Sequence, residues 1–166
     1  MMKTNKIEIR KAKYSDLDAL SGVYQKAREI MRNTGNPTQW SGGYPQRELL
    51  EEDILLGRLF VLERDGETVG SFVFFIGEDP VYARIEQGEW KGNGEYGVLH
   101  KVASNGSVKG LFSHIYNFAK SRINYLRIDT HQDNAVMQKV LDKHGFIRAG
   151  IVYMTDGSPR IAYENF

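Results

Sequence analysis

Two periodic patterns divide the chain into strands and helices. Apolar residues at every second position, or in short unbroken runs, predict strands, and apolar residues three and four apart predict helices. The predicted strands are Ile7–Lys11, Arg58–Arg64, Thr68–Ile76, Tyr96–Ser104, Tyr125–Thr130, Ile147–Met154 and Arg160–Phe166. The predicted helices run from Ser15 to near Asn33, from Gln46 to Leu56, from Val108 to Ala119 and from Asn134 to His144. This order predicts an α/β fold, a mixed sheet of six to seven strands flanked by about four helices.

Several element boundaries carry their own signals. Asp65-Gly66 lies between two strands and is the strongest two-residue hairpin signal in the chain. Ser15 is a predicted helix N-cap, with acidic residues after it in the first turn. Gly145 is placed to end the last helix as a C-cap.

Composition predicts one globular domain over residues 1–166. Hydrophobic residues make up 41% of the chain and charged residues 26%, which is ordinary for a protein with a packed core. The formal net charge of +1 argues against a dedicated nucleic-acid binder. The chain has no cysteine, which excludes disulfides, thiolate metal sites and a cysteine nucleophile.

Nothing in the hydropathy pattern predicts contact with a membrane. No apolar run approaches the ~20 residues of a membrane span. The segment Met1–Glu8 is polar and basic, without the apolar core of a secretion signal. We therefore expect a cytoplasmic protein.

Two segments resemble a known family. "HKVASNGSVKGLFSHI" is similar to the strand, loop and helix of the GNAT superfamily of acyl-CoA-dependent N-acyltransferases, and "DNAVMQKVLDKHGF" looks like that superfamily's following helix. The elements occur in the family's order, so the resemblance covers nearly the whole chain. It implies transfer of an acetyl group from acetyl-CoA, without a metal, to a small-molecule or peptide amine.

The phosphate-binding loop of that family is only partly preserved here. Its key positions fall on Ser107, Gly110 and Phe112, of which only Gly110 matches. Backbone N–H groups at a helix start nevertheless bind phosphate whatever the side chains are. Two interpretations stay open, a phosphate cradle and a simple turn, with Phe112 pointing into the core in both. On the first, the cofactor residues are Val102, Ala103, Ser104, Ser107, Val108, Lys109, Gly110, Leu111 and Asn134.

The catalytic residues are less clear, because the family's usual tyrosine acid falls on Leu141. Either another residue donates the proton, with Tyr153 as a candidate, or the thiolate leaves unaided, or the protein does not catalyse. His100 is the candidate base because it lies on the strand that lines the acyl group in the family and titrates in the useful range. It could equally be a core histidine. Glu95 is a second candidate base and otherwise a solvated loop acid.

The remaining polar and aromatic candidates have two interpretations each. "DTHQDN", residues 129–134, could hold a metal through Asp129, His131 and Asp133, but a helix N-cap at Asp133 or Asn134 is the favoured reading. Aromatic side chains in two loops could line an amine pocket or plug the core. They are Trp40, Tyr44, Tyr82 and Trp90.

The sequence thus predicts a GNAT-like N-acetyltransferase in which a bound amine attacks the thioester directly. The alternative is a non-catalytic acyl-CoA-binding or sensing domain, and a third reading keeps only the fold, because fold does not dictate function. The amine and the acyl chain length are not specified. The last strand, ending at Phe166, is placed to pair across a homodimer.

Overall fold

A computed structural model describes residues 5–166, so half of the Met1–Glu8 segment, residues 1–4, lies outside it. Within this range the chain forms seven strands and four helices, as the sequence predicts. The strands are β1 (Ile7–Lys11), β2 (Leu59–Arg64), β3 (Glu67–Ile76), β4 (Gly97–Ser104), β5 (Leu126–Thr130), β6 (Ile147–Tyr153) and β7 (Pro159–Asn165). The helices are α1 (Leu17–Asn33), α2 (Arg47–Leu55), α3 (Leu111–Lys120) and α4 (Ala135–Lys143). None of these helices is long and apolar enough to cross a membrane.

The strands form one mixed sheet in the order β1-β2-β3-β4-β5-β7-β6. All neighbouring pairs are antiparallel except β4 and β5, which are parallel. This parallel pair is joined at only two positions, Gly97 with Leu126 and Val98 with Arg127. Beyond Val98 the two strands separate, and the sheet opens along the rest of β4.

The two faces of the sheet have different covers. Helices α3 and α4 cover one face through a core that includes Phe72, Leu99, Ile115 and Leu141. Helix α1 covers part of the other face, with Leu20 and Tyr24 against Val73 and Ala103. The irregular segment 77–94 covers the remainder of that second face. Its Tyr82 packs with Val98, Val152 and Ala162 from three different strands.

Most predicted boundaries are confirmed within two residues, and two need correction. Asp65 and Gly66 have positive φ angles, as a tight hairpin turn requires. Ser15 is not the N-cap of α1, because a short 3-10 turn over Tyr14–Asp16 precedes that helix. Helix α3 begins at Leu111 rather than at Val108, because Gly110 adopts a left-handed conformation (φ 70°) directly before it.

Candidate active site

A cavity of about 710 Å³ lies where β4 and β5 separate. Strand β4 contributes residues 99–102 and the end of β5 contributes residues 128–131. The loop between α1 and α2, the start of α4 and the turn between β6 and β7 form the other walls. The polar side chains that line it are Thr38, Gln39, Ser41, Tyr44, Asp79, His100, Lys101, Asp129, Thr130, His131, Asn134, Thr155, Asp156, Ser158 and Arg160.

His100 lies between two carboxylates in this cavity. Its Nε2 is 2.6 Å from Oδ2 of Asp79, and its Nδ1 is 3.9 Å from Oδ2 of Asp129. Burial would raise the pKa of the Asp79 carboxyl, but the hydrogen bond and charge of His100 outweigh it and hold that pKa below 3.8. An ionised Asp79 accepts the Nε2–H hydrogen of His100, and Nδ1 of the same ring faces Asp129.

Asp129 has a neutral hydrogen-bond donor as its close partner. The hydroxyl of Tyr82 donates to its Oδ2 at 2.7 Å. Burial, and then the charge of Asp129, raise the pKa of Tyr82 well above its ordinary value, so this hydroxyl keeps its proton. The Asp129 side chain is only 8% exposed. It is therefore a buried carboxylate beside the cavity, and a neutral hydroxyl is its nearest donor.

A β-bulge in β4 places two consecutive side chains on the same face of the sheet. Val73 of β3 pairs with His100 and Ser71 pairs with Ala103, so β4 has one extra residue between these pairs. Lys101 lies in the bulge and has a positive φ of 49°. As a result His100 and Lys101 both lie opposite the face that Leu99 packs on.

A buried ion pair fixes the bulge. Lys101 donates to Asp53 of α2 at 2.7 Å, and Arg58 donates to the other oxygen of the same carboxylate at 2.6 Å. Asp53 is fully buried. The carbonyl of Lys101 accepts a hydrogen bond from the Tyr24 hydroxyl of α1 at 2.7 Å. Two helices therefore hold the backbone of β4 next to His100.

The loop between α1 and α2 is tied to the start of α4 across the cavity. Asn134 caps α4 by accepting from the Met137 N–H, and its amide donates to Gln39 of the loop. His131 contacts Thr38 of the same loop at 3.2 Å through Nε2. Its Nδ1 accepts the N–H of Asp133, which assigns the ring proton to Nε2. The favoured prediction for residues 129–134, a helix N-cap, is confirmed by Asn134.

The loop before α3 has a row of free backbone donors. Within residues 5–166, the N–H groups of Val108, Lys109, Gly110, Leu111 and Phe112 have no protein acceptor. The preceding N–H groups are used inside the loop, where Ser104 and Asn105 accept from the next residues but one. The Phe112 side chain is buried against His144 and Phe146, as expected.

The structure brings together some of the residues predicted for the site and not others. His100, Val102, Trp40, Tyr44 and Asn134 line the cavity. Four catalytic or substrate candidates do not line it: Glu95 is exposed before β4, Tyr82 is buried behind Asp129, Trp90 packs on Tyr82 and Arg127, and Tyr153 donates to Glu86. The cofactor candidates outside the lining are Ala103, Ser104, Ser107, Val108, Lys109, Gly110 and Leu111. Leu141 is fully buried in the core, so the position of the family's usual acid cannot supply a proton.

Sequence reasoning missed the five acidic and basic residues of this cavity other than histidine, which are Asp79, Lys101, Asp129, Asp156 and Arg160. Asp79 lies in "GEDP", where the Asp-Pro pair marks a turn and caps it by accepting from the Val81 N–H. The sequence analysis considered Asp129 only as a metal ligand and Arg160 only as the first residue of a strand. Tyr44 is the tyrosine that lines the cavity, and burial, with the nearby charges of Asp53 and Asp129, raises its pKa to about 12.

Comparison with solved structures agrees with this arrangement. A GNAT-family acetyltransferase from Streptococcus agalactiae is 28% identical, with 96% of this chain and 95% of that chain covered and a TM-score of 0.86. A candidate acetyltransferase from Staphylococcus aureus is 27% identical, with 95% and 97% covered and a TM-score of 0.66. The ribosomal-protein-S18-alanine N-acetyltransferase from Escherichia coli shares the fold at 16% identity and a TM-score of 0.63, with 96% and 93% covered. No family model and no curated protein sequence matches the chain.

The seven-stranded mixed sheet, its four helices and the separation of β4 from β5 define a GNAT-type acyltransferase fold. The chain shares this fold with GNAT-family acetyltransferases, in agreement with the resemblance found in the sequence.

Proposed function

We propose that this protein transfers an acetyl group from acetyl-CoA to an amine. The observation that carries the proposal is the cavity at the separation of β4 and β5, which holds the His100–Asp79 pair. Strand β4, which lines this cavity, leads directly into the loop with the row of free N–H groups before α3. The arrangement offers binding for an anionic cofactor and a base for an amine. The family likeness supports the same reaction.

Acetyl-CoA is the group that the fold implies, and the residues present fit it. The free N–H groups of residues 108–112 suit a pyrophosphate, and Lys109 adds an exposed positive charge beside them. The edge of β4 that faces β5 has no strand partner beyond Val98, so its backbone groups are available to an extended chain. Thr130 lines the cavity with a buried hydroxyl that has no partner within residues 5–166.

His100 is proposed as the general base and Asp79 as the residue that orients it. The amine must lose a proton because a free alkyl amine has a pKa near ~10. Nδ1 of His100 accepts that proton, which gives the neutral amine a lone pair for attack on the thioester. The C–N bond then forms as the C–S bond breaks, and the second proton of the nitrogen passes to the departing thiolate. Asp79 holds the imidazole in the required tautomer and stabilises its positive charge.

The leaving thiolate needs little help from the protein, since a thiol pKa near ~8.5 makes it a good leaving group. Tyr44 keeps its proton at neutral pH and is available as a hydrogen-bond donor in the cavity. Acetyl-CoA supplies the activated acetyl group. Trp40 and Tyr44 are proposed to contact the acceptor amine.

A binding titration together with an activity assay tests this function. Calorimetric titration with acetyl-CoA should show micromolar binding. Lys109→Glu should weaken it about 5- to 10-fold, because a negative charge would then lie beside the phosphates. The matched control is Lys91→Glu, which changes an exposed lysine in the segment 77–94.

The variant His100→Gln separates binding from catalysis. It should keep acetyl-CoA binding but release CoA about 100-fold more slowly in a screen of primary amines. Binding without turnover on any amine would favour the non-catalytic acyl-CoA-binding domain. Absence of binding up to millimolar acetyl-CoA would exclude both acetyl transfer and acyl-CoA binding. Only the assignment of the fold would then stand.

A further inference from the structure

We infer that the acceptor is a zwitterion, a primary amine that also carries a carboxylate, held between Asp129 at one end of the cavity and Arg160 at the other. This inference rests on the proposed function, since it names the substrate class of the same site. It assigns a specificity-determining role to Arg160, which does not belong to the proposed His100–Asp79 pair.

Asp129 marks the end that receives the amine. Its carboxylate is buried, its close donor is the neutral Tyr82 hydroxyl, and the imidazole of His100 lies 3.9 Å away through Nδ1. A buried carboxylate without a close full positive charge favours a cation from the ligand. An ammonium bound there would have the proposed base within reach of its proton.

Arg160 marks the other end, because it has no acidic partner. Its guanidinium donates to the Ser158 hydroxyl at 3.3 Å and to the Pro159 carbonyl at 2.9 Å, both neutral acceptors in the same turn. Within residues 5–166 no carboxylate lies within ion-pair distance of it. Its charge nevertheless acts on neighbouring residues of the cavity. Burial is the main cause that lowers the pKa of His131, and the charge of Arg160 lowers it further.

The sheet register brings these two ends together. Asp129 of β5 pairs with Ala162 of β7, so Arg160 lies two residues further along the neighbouring strand and on the same face of the sheet. Two residues along a strand and one strand across give roughly 8 Å between the two Cα atoms. Both side chains line the same cavity, which is the arrangement that a ligand with one ammonium and one carboxylate requires.

The other acidic residues of the cavity do not favour a diamine instead. Asp79 is engaged by His100. Asp156 is exposed and accepts from the N–H and the hydroxyl of Ser158 within its own turn. A second ammonium on the ligand would therefore meet the guanidinium of Arg160.

Matched pairs of acceptors test the inference. Phenylalanine and leucine are compared with phenethylamine and isoamylamine, which differ by the carboxylate, and with a diamine such as putrescine. With the unaltered protein, kcat/KM for the amino acids should exceed that for the simple amines. Arg160→Gln should reduce kcat/KM for the amino acids about 10- to 100-fold and leave the simple amines unchanged. The control is Arg148→Gln on the opposite face of the sheet, which should alter neither.

The outcomes separate this inference from the proposed function. Turnover on simple amines or diamines that equals or exceeds turnover on amino acids would overturn the zwitterion inference while the acetyltransferase function stands. Equal losses for both acceptor classes in Arg160→Gln would also overturn it, since Arg160 would then serve the fold. Acetyl-CoA titration of each variant shows whether it is folded.

Discussion

At the residue scale, two histidines in one cavity have different hydrogen-bond partners. His100 donates through Nε2 to the Asp79 carboxylate. His131 instead accepts a backbone N–H at Nδ1, and burial and the charge of Arg160 lower its pKa below 6.5. His131 is therefore neutral at pH 7.

This difference predicts a titration shift that can be measured without substrate. In Arg160→Gln, the pKa of His131 should rise, because a positive charge that opposes its protonation is removed. It should stay below 6.5, since burial is the larger cause. NMR titration of the histidine Cε1–H signals checks this, with Arg148→Gln as the control that leaves His131 unchanged. An unchanged His131 in Arg160→Gln would show that the guanidinium lies too far away to act on it.

The residues of the site were only partly accessible to sequence reasoning. His100 could be found because its strand is strongly apolar and the family resemblance places that strand at the acyl group. Asp79 and Arg160 could not, because each follows from a turn whose position against β4 and β5 is set by tertiary packing. The aromatic residues show the same limit: Trp40 reaches the cavity, while Trp90 packs on Arg127 in the core of the segment 77–94.

At the element scale, the bulge of β4 is the feature that orders the site. Without the extra residue, Lys101 would lie on the face opposite to His100, since side chains alternate along a regular strand. The positive φ of Lys101 is unfavourable for a residue with a side chain, so its surroundings must hold it. Asp53, Arg58 and Tyr24 supply those contacts.

Removal of the central carboxylate should therefore destabilise the protein. Asp53→Ala leaves Lys101 and Arg58 without their shared partner and should lower the free energy of unfolding by about 3 kcal/mol. Urea denaturation measures this loss. Asp18→Ala, which removes a 98% exposed aspartate paired with Arg47, is the matched control and should cost less than about 1 kcal/mol. Equal effects of the two changes would contradict a role for Asp53 in holding the bulge.

The elements themselves were predictable because their patterns are local. Strand and helix periodicity, the Asp65-Gly66 turn and the Gly145 end of α4 depend on neighbouring residues alone. The start of α3 was placed three residues early, because apolar spacing continues back to Val108 while Gly110 interrupts the backbone. The bulge has no sequence signal, since Lys101 is not a residue type that favours positive φ.

At the scale of the whole molecule, one ion-pair cluster ties the first strand to the start of the first helix. Arg10 of β1 donates to both oxygens of Asp16 at 2.8 Å and also bonds Glu63 of β2. The Asp16 carboxylate also accepts the Lys13 N–H. The hydrogen bond from Arg10 is the main reason that the pKa of Asp16 is below 3.8.

This cluster predicts a contribution to acid stability. A carboxyl whose pKa is lowered by folding stabilises the protein above its unfolded pKa and loses that contribution as the pH falls through the folded pKa. Asp16→Asn should therefore lower the free energy of unfolding by about 1–2 kcal/mol at pH 7. The difference from the unaltered protein should shrink as the pH falls below 3.8. Urea denaturation at pH 7, 5 and 3 measures it, and a difference that stays constant with pH would show that Asp16 acts through packing instead.

The cavity walls also explain why the function needed the folded molecule. They come from five separated parts of the chain, the segments near residues 38–44, 79–81, 99–102, 128–137 and 154–160. The family resemblance indicated the reaction class from the β4–loop–α3 segment alone. The charge pattern that the acceptor would meet arises only where the sheet and its turns come together.

Strands β4 and β5 pair at only two positions, so the sheet consists of two groups of strands with few hydrogen bonds between them. One group has four strands, β1 to β4, and the other has three, β5, β7 and β6. Gly97 and Val98, with Leu126 and Arg127, join the two groups of strands. A small rotation about this junction changes the distance between β4 and β5 by an amount that grows along the strands. An extended ligand that hydrogen-bonds to both groups of strands would fix the distance between them. The width of the cavity would then depend on whether the ligand is bound.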